Sequence, residues 1–510
     1  DFTGLVQVVA DGRLVVTAPT SLGGDLEIDP EGAVDVVLDG ATTPLTVAGE
    51  ARLDGRLRIT PTDDLEPGPT PLRVLQAGSR LDEFAEIDFA GASGIRRFTP
   101  EYDATGLSVF FEQLPLDSLA RGENNLAVVR HLIAVGESGS GSQDVQALFD
   151  ALPDLSVGEA NRAFDALSPE AYDAQTTVVV EGGRRVARLL LDRPRECTPG
   201  QRDPWTAAQA ILPCHPRSWS PWVAGLASFR SRDSFNGHPG YDANLGGLAF
   251  GIDVRPIEGL DLTLAIASQR GALSVRGASN STLTLTDLMG HAAWTRGPLR
   301  LQTVVGWGHG FHDDRRRIRF SNVDGSETDL RGTTDHDSDR LTWAAEIGVE
   351  LQAGAITVEP LVGVDWAWVW QRGFAESQAG GLGLRVDRRR DSVGSVDAGL
   401  RLSTVYHHTR YLGRRLLWMD GVWRPRLDLR WREMLAGNER RIDARLRGAP
   451  DGVGDFAIEG KEDSRGLELG ASLSFIPSAA NRLQFDLRYE TFIAAHTIEQ
   501  GLNARVLVAF

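Results

Sequence analysis

From Trp219 to Phe510 the chain repeats one pattern: segments of about 9–11 residues in which apolar and polar side chains alternate. Leu483-Gln484-Phe485-Asp486-Leu487-Arg488-Tyr489-Glu490 sets every apolar residue at an odd position. Trp423–Arg432, Leu341–Leu351, Ile356–Trp370 and Leu467–Phe475 behave the same way. A strand turns successive side chains to opposite faces, so each segment presents one apolar and one polar face. The pattern therefore predicts a long run of strands and leaves one question, namely which face meets the solvent.

In a soluble sandwich the apolar faces meet in a core, whereas in a membrane barrel they meet lipid and the polar faces line the lumen. Twelve strands are read, starting near 219, 240, 260, 281, 299, 340, 356, 388, 415, 465, 481 and 499. Their connections alternate in length. Arg255–Gly259, Arg296–Pro298, Gln352–Ala355, His407–Gly413 and Ile476–Asn481 are short, while those near 231–239, 270–280, 310–339, 372–387 and 436–464 are longer. The last, near 495–498, breaks the rule by being short. Short turns at one rim, long loops at the other and an even strand number are habits of outer-membrane barrels. Trp366, Trp368, Trp370, Trp418, Trp423 and Trp431 suit an interfacial girdle. The barrel is thus preferred to the sandwich. No run of about 18 apolar residues predicts a transmembrane helix, and hydropathy windows do not detect barrel strands.

Upstream the character changes. Residues 1–112 read as short strands broken by Gly, Pro and Asp, a pattern of a β-solenoid or a sandwich, without a strict repeat. Residues 113–155 read as a linker with weak helices around Gly136-Glu137-Ser138-Gly139-Ser140-Gly141-Ser142. Residues 156–193 are the best helical stretch. Ser156 caps a helix ending near Leu167, and Ser168-Pro169-Glu170 opens a second one. Gly182-Gly183 is read as interrupting it, at a cost of about 1 kcal/mol per glycine. Its end carries Arg184, Arg185 and Arg188 and stops at Pro194. Residues 194–218 form a connector holding Cys197 and Cys214, which would be free thiols in a reducing compartment and close a short loop in an oxidising one.

Charge and motifs exclude several functions. The 510 residues carry 53 Lys/Arg against 70 Asp/Glu, a net charge of −17, which disfavours a general nucleic-acid binder. Lys461, the only lysine, stands in Gly460-Lys461-Glu462, so the chain has no P-loop. No Gly-x-Ser-x-Gly, His-Glu-x-x-His or Cys-x-x-Cys occurs, and neither a catalytic site nor a cofactor is expected. Asp335, Asp337, Asp339 and Glu346 match four ligand positions of a calcium loop, but Arg340 replaces its glycine. His309, His312, Asp313 and Asp314 read as solvated loop residues rather than a metal cluster. The chain begins at Asp1 without an initiator Met, as a mature or truncated chain would.

Four features, in order along the chain, resemble the monomeric (type Va) autotransporters. They are Val74–Gly78 with Phe84 and Tyr102–Val109; Ala166–Tyr172 ahead of the helix; Trp222 with Gly240–Asp253; and Asn503–Phe510 with its terminal aromatic residue. Where the family usually has Ser-Gly-Glu before the helix, this chain has Ser168-Pro169-Glu170.

The resemblance implies a mainly β protein. A twelve-stranded antiparallel outer-membrane β-barrel over 219–510 would hold an α-helix in its lumen, preceded by the end of a β-helical passenger or autochaperone over 1–112. It implies export and anchoring of the chain's own N-terminal region at the surface of a Gram-negative cell, without enzymatic activity. Arg184, Arg185 and Arg188 would meet lumen acids among Glu346, Glu350, Glu359, Asp365, Asp397, Asp486 and Glu490. Val506, Val508 and Phe510 would form the signal read by the barrel-assembly machinery, and Cys197 and Cys214 a periplasmic disulfide. The implied partners are outer-membrane lipid, that machinery and periplasmic chaperones, for a monomer that binds no nucleic acid. Asn124-Asn125 resembles the cleavage point of some family members, yet lies about 95 residues before Trp219 rather than in the pore helix, which argues against self-cleavage. The rival readings are an outer-membrane channel with a periplasmic or plug domain, and a soluble all-β adhesin.

Overall fold

The computed structural model describes residues 4–62, 64–192, 219–321, 326–408, 421–477 and 483–508. Twelve long strands form the C-terminal part: β1 (Ser220–Arg232), β2 (Tyr241–Ile257), β3 (Leu260–Val275), β4 (Ser279–Arg296), β5 (Leu299–Ser321), β6 (Glu327–Val349), β7 (Ile356–Gln371), β8 (Arg389–Thr404), β9 (Gly421–Ala436), β10 (Arg465–Pro477), β11 (Leu483–Ala494) and β12 (Thr497–Val508). Each pairs antiparallel with its neighbour in the chain. The ring closes where β1 meets β12, Trp222 opposite Leu507 and Arg232 opposite Thr497. Closure gives every strand of the ring two neighbours, which is what allows a sheet to sit in lipid.

The alternation is inverted relative to a soluble core. Leu264 is 55% exposed and Phe250 52%, whereas Arg430 and Glu346 are 0% and 3% exposed. The apolar faces point out and the charged faces in, as expected of a barrel whose solvent is lipid.

Three stretches read as loops contain ordered strands. Residues 310–339 continue the β5–β6 hairpin to Ser321 and Glu327, so each strand runs 23 residues. Their charged composition hid the alternation: Arg316, Ile318 and Phe320 point inward and are buried. The loops near 372–387 and 436–464 contribute Phe374–Ala375, Leu384–Val386, Glu439–Leu446 and Phe456–Lys461 to a separate antiparallel sheet of four strands.

The N-terminal part is mixed. Residues 13–16, 33–38, 56–61 and 86–89 pair in parallel in one sheet. A second sheet pairs 26–28, 45–52 and 68–81 in parallel, and the antiparallel hairpin Arg96–Asp103 and Gly106–Gln113 closes it. Val34, Val36, Leu38, Leu57 and Ile59 fill the space between.

Four helices follow: α1 (Glu123–Glu137), α2 (Gln143–Ala151), α3 (Val157–Leu167) and α4 (Ala171–Leu191). The segment read as a linker is thus mostly α1 and α2, and its turn is packed: Ser142 N–H donates to the Gly448 carbonyl (3.0 Å) and Asp144 accepts from Gly381 N–H (2.8 Å). Ser156 and Glu159 cap each other's backbone at the start of α3. Ser168 closes α3 instead of opening α4, which begins after Glu170. Gly182-Gly183 does not break α4. A Cβ on Gly183 would lie 2.4 Å from the Arg340 guanidinium, and one on Gly182 2.5 Å from Leu285. The pair makes room for the barrel wall, and that packing outweighs the glycines' poor helix propensity. Among the described residues no helix is long and apolar enough to cross a membrane.

Candidate functional site: the occupied lumen

α4 runs through the barrel with two unlike faces. Asp173, Thr177, Glu181, Arg184, Arg188 and Asp192 recur every three or four residues and form one polar stripe, with Arg185 beside it. The other side carries Ala174, Val178, Val186 and Leu190. The lumen is divided to match. Strands β1 to β4 offer small and apolar inward residues such as Ala224, Leu245, Ala267 and Leu285, which pack on the apolar side. Strands β7 to β12 offer charges. The helix sits in one rotation because the opposite one would leave arginines against leucines.

The three arginines lie near the helix C-terminus, where the macrodipole favours cations. Arg184 donates to Asp365 (Nε–Oδ1 2.8 Å). Arg185 reaches Glu490 at 2.9 Å and Glu499 at 2.6 Å. Arg188 reaches Asp397 at 2.8 Å, with Glu346 and Glu468 at 3.7 and 3.9 Å. Asp192, just past the helix, meets Arg401 at 2.8 Å, Arg430 at 3.0 Å and Arg488 at 3.0 Å. Arg430 also binds Glu346 (2.6 Å) and Asp397 (3.0 Å), which ties the wall to itself as well as to the helix. At the helix start Asp173 forms a two-bond pair with Arg440 (2.7 and 2.8 Å). All these groups are buried. Such pairs owe their stability to complete mutual satisfaction, since removing one partner strands a buried charge.

The seven acids singled out in the sequence divide accordingly. Asp365, Asp397, Glu490 and Glu346 reach the helix arginines. Glu359 instead pairs with Arg401 (3.0 Å), and Asp486 with Arg505 (2.6 Å). Glu350 lies beyond the end of β6 at the short-turn rim, where its N–H donates to the Pro298 carbonyl (2.8 Å). Glu468, Glu499, Asp192 and the wall arginines Arg401 and Arg430 were missed. Their signal was parity: each wall residue stands in register with the inward face of its strand.

Val506 points outward with Val508 and Leu502, while Leu507 between them is buried inside. Phe510, Cys197 and Cys214 lie outside the described residues. Asp335, Asp337 and Asp339 have the parity opposite to Glu346, so the calcium-loop spacing is split between two faces of β6. Alternation likewise sends His312 and Asp314 inward and His309 and Asp313 outward on β5. Asn124 and Asn125 are in α1, outside the lumen helix. Asn124 binds Glu170 (3.1 Å) and the Glu459 backbone (2.8 Å), and Asn125 binds Asn161 (3.0 Å) and Asp165 (3.1 Å).

No curated protein matches the chain. Among solved structures, it is similar to the translocator domain of the autotransporter NalP from Neisseria meningitidis, at 14% identity over 67% of this chain and 99% of that one, TM-score 0.48. The beta domain of the Bordetella autotransporter Brka aligns at 17% identity over 57% of this chain and 100% of that one, TM-score 0.40. The transport unit of AIDA-I from Escherichia coli aligns at 11% identity over 67% and 98%, TM-score 0.36. The family itself rests on a separate finding: the model of the autotransporter beta-domain matches residues 221–490, more than half of the chain. With its closed barrel of twelve strands, the chain belongs to the autotransporter β-domain family and carries an outer-membrane translocator barrel, a transport unit.

Proposed function

We propose that the barrel exports residues upstream of α4 through its lumen and then anchors them at the cell surface, in the manner of type V secretion. The observation that carries this reading is the path of the chain. α4 fills the lumen, and the helices before it pack at the rim of the long loops, where His238 of the β1–β2 loop binds Glu170 and Glu459 of the β9–β10 loop binds Asn124. In outer-membrane barrels the long loops face outward. The N-terminal region then sits outside, joined to the barrel by the one segment that traverses it.

In this reading the two parallel sheets are the last rungs of a β-solenoid passenger, and the hairpin Arg96–Gln113 caps them. Folding of those rungs outside opposes return. Lipid surrounds the apolar band, periplasmic chaperones and the barrel-assembly machinery handle the unfolded chain, and the outward Val506 and Val508 near the last strand's end are what that machinery reads. The assembled protein is a monomer.

An epitope placed in the exposed turn at Glu66-Pro67, in a chain expressed with a signal peptide, tests this directly. Labelling on intact Gram-negative cells is expected, and deletion of Ala504–Phe510 abolishes it. Labelling only after permeabilisation of the outer membrane overturns the surface orientation and favours a channel with a periplasmic domain.

A further inference from the structure

Helices α1–α3 do more than connect the passenger to the lumen helix. Their apolar faces, including Val128, Leu132, Leu148 and Phe164, share one core with Ile318 of β5 and the barrel-loop residues Leu384, Ile442 and Ile458. That core draws both on sequence before the barrel and on sequence inside it. Its polar contacts fall on three separated parts of the rim. In the β1–β2 loop, His238 pairs with Glu170. In the β9–β10 loop, Glu459 binds Asn124 (2.8 and 2.9 Å), and Leu446 N–H donates to His131 Nε2 (3.2 Å).

The third contact is the tightest. Arg316 of β5 and Glu376 of the β7–β8 loop are both 1% exposed and joined by a two-bond ion pair. Arg316 also donates to the carbonyls of Ala166, at the end of α3, and of Leu382 (3.1 Å). Glu376 accepts from Tyr172 Oη (2.6 Å), at the start of α4, and from Leu384 N–H (2.8 Å). One buried pair thus fixes the last helix of the cap, the first turn of the lumen helix and the β7–β8 loop to β5. A layer pinned at three sectors of a ring spans its opening.

We propose that α1–α3 form an external gate over the loop-side mouth, a second seal that closes independently of α4, and that the Arg316–Glu376 pair is its latch. The proposal rests on the translocator reading only in taking the lumen as the export path. It is tested on purified full-length protein in detergent or planar bilayers, where orientation in the cell plays no part, so its failure is separate from that of the surface-labelling experiment.

Two seals predict a four-way pattern in conductance. The full chain, a latch variant (Arg316→Ala with Glu376→Ala) and a plug variant (Arg184→Ala, Arg185→Ala and Arg188→Ala) each stay at low conductance. Only the combination opens a steady pore. Full conductance from the plug variant with the latch intact overturns the second seal. Because the combined variant removes many buried contacts, the isosteric Glu376→Gln is followed in parallel by amide hydrogen exchange. Exchange in α1–α3 is expected to quicken by about tenfold, with α4 beyond its first turn and the barrel strands unchanged. Unchanged exchange in α1–α3 overturns the latch, and equal acceleration around Arg184–Arg188 of α4 overturns the independence of the two seals.

Discussion

The barrel and the N-terminal sheets use the same alternation for opposite ends. In the sheets Val34, Val36 and Leu38 point to a dry interior and are 0–2% exposed, while Asp35 and Val37 between them face outward. In β3 the inward residues are Ala265, Ala267 and Gln269, and Leu264 and Ile266 face out at 55% and 51% exposure. Alternation alone fixes that a strand has two faces, not which of them is inside. The difference lies in what the strands can close around. The parallel sheets close on their own methyl groups, whereas the barrel closes on a helix whose arginines demand acids. The barrel therefore takes its specificity from charge and the sheets theirs from packing.

The largest effect that separates the two regions comes from their ion pairs. Arg430→Leu leaves Asp192, Glu346 and Asp397 short of a buried cation and is expected to cost about 3–5 kcal/mol. The exposed pair Arg56–Glu86 of the N-terminal sheets is worth about 0–1 kcal/mol, so Arg56→Leu should be nearly silent. Guanidinium unfolding of the two variants measures the contrast, and equal shifts break it.

The apolar faces invert the comparison. Leu57→Ala opens a cavity in the sheets and costs about 2–5 kcal/mol. Leu264→Ala opens none, but Leu264→Arg places a charge in lipid at about 2–4 kcal/mol. Refolding of Leu264→Arg into lipid vesicles as efficient as the parent's refutes the lipid-facing assignment of β3.

The helical cap, lying outside the membrane, adds a pH dependence that neither region shares. Burial, with Arg445 next, pushes the His131 imidazole down to about 4 from the usual 6.5. Its Nε2 accepts a hydrogen bond from Leu446 N–H, which a protonated ring cannot do. The unfolded imidazole takes a proton as pH falls through 6.5, the folded one only near 4. The stabilisation is therefore whole above pH 6.5 and is lost as pH falls toward 4. Proteolysis of α1 should quicken over that window, and His131→Gln should flatten the profile. A modest effect is expected of Ser156→Ala, about 1 kcal/mol from the lost cap of α3, read as local exchange without loss of the barrel.

Much of the barrel was legible. Alternation marked twelve strands, and the short turns Arg255–Gly259 and Arg296–Pro298 placed one rim. Arg184, Arg185 and Arg188 stood out as cations at a helix end, and four of the acids paired with them by reading lie against them in the lumen. What was lost had common causes. The β5–β6 extension was read as a loop because its first inward positions are His312, Asp314 and Arg316, which carry no hydropathy signal. The cap was read as a linker because its core draws on residues as far apart as Val128 and Ile458, and no local window sees both.

The sequence by itself determined that residues after Trp219 form two-faced strands, that their apolar faces need a common apolar medium, and that a cationic helix precedes them. It determined these because strand and helix periodicities are local. The tertiary structure alone decided which acid meets which arginine, why Gly182-Gly183 is tolerated beside Arg340, and that the helices before α4 cover the mouth. Those outcomes depend on ring closure between β1 and β12, segments nearly 300 residues apart. Their register sets the height of every inward side chain relative to the helix, and that register belongs to the closed ring rather than to any one strand.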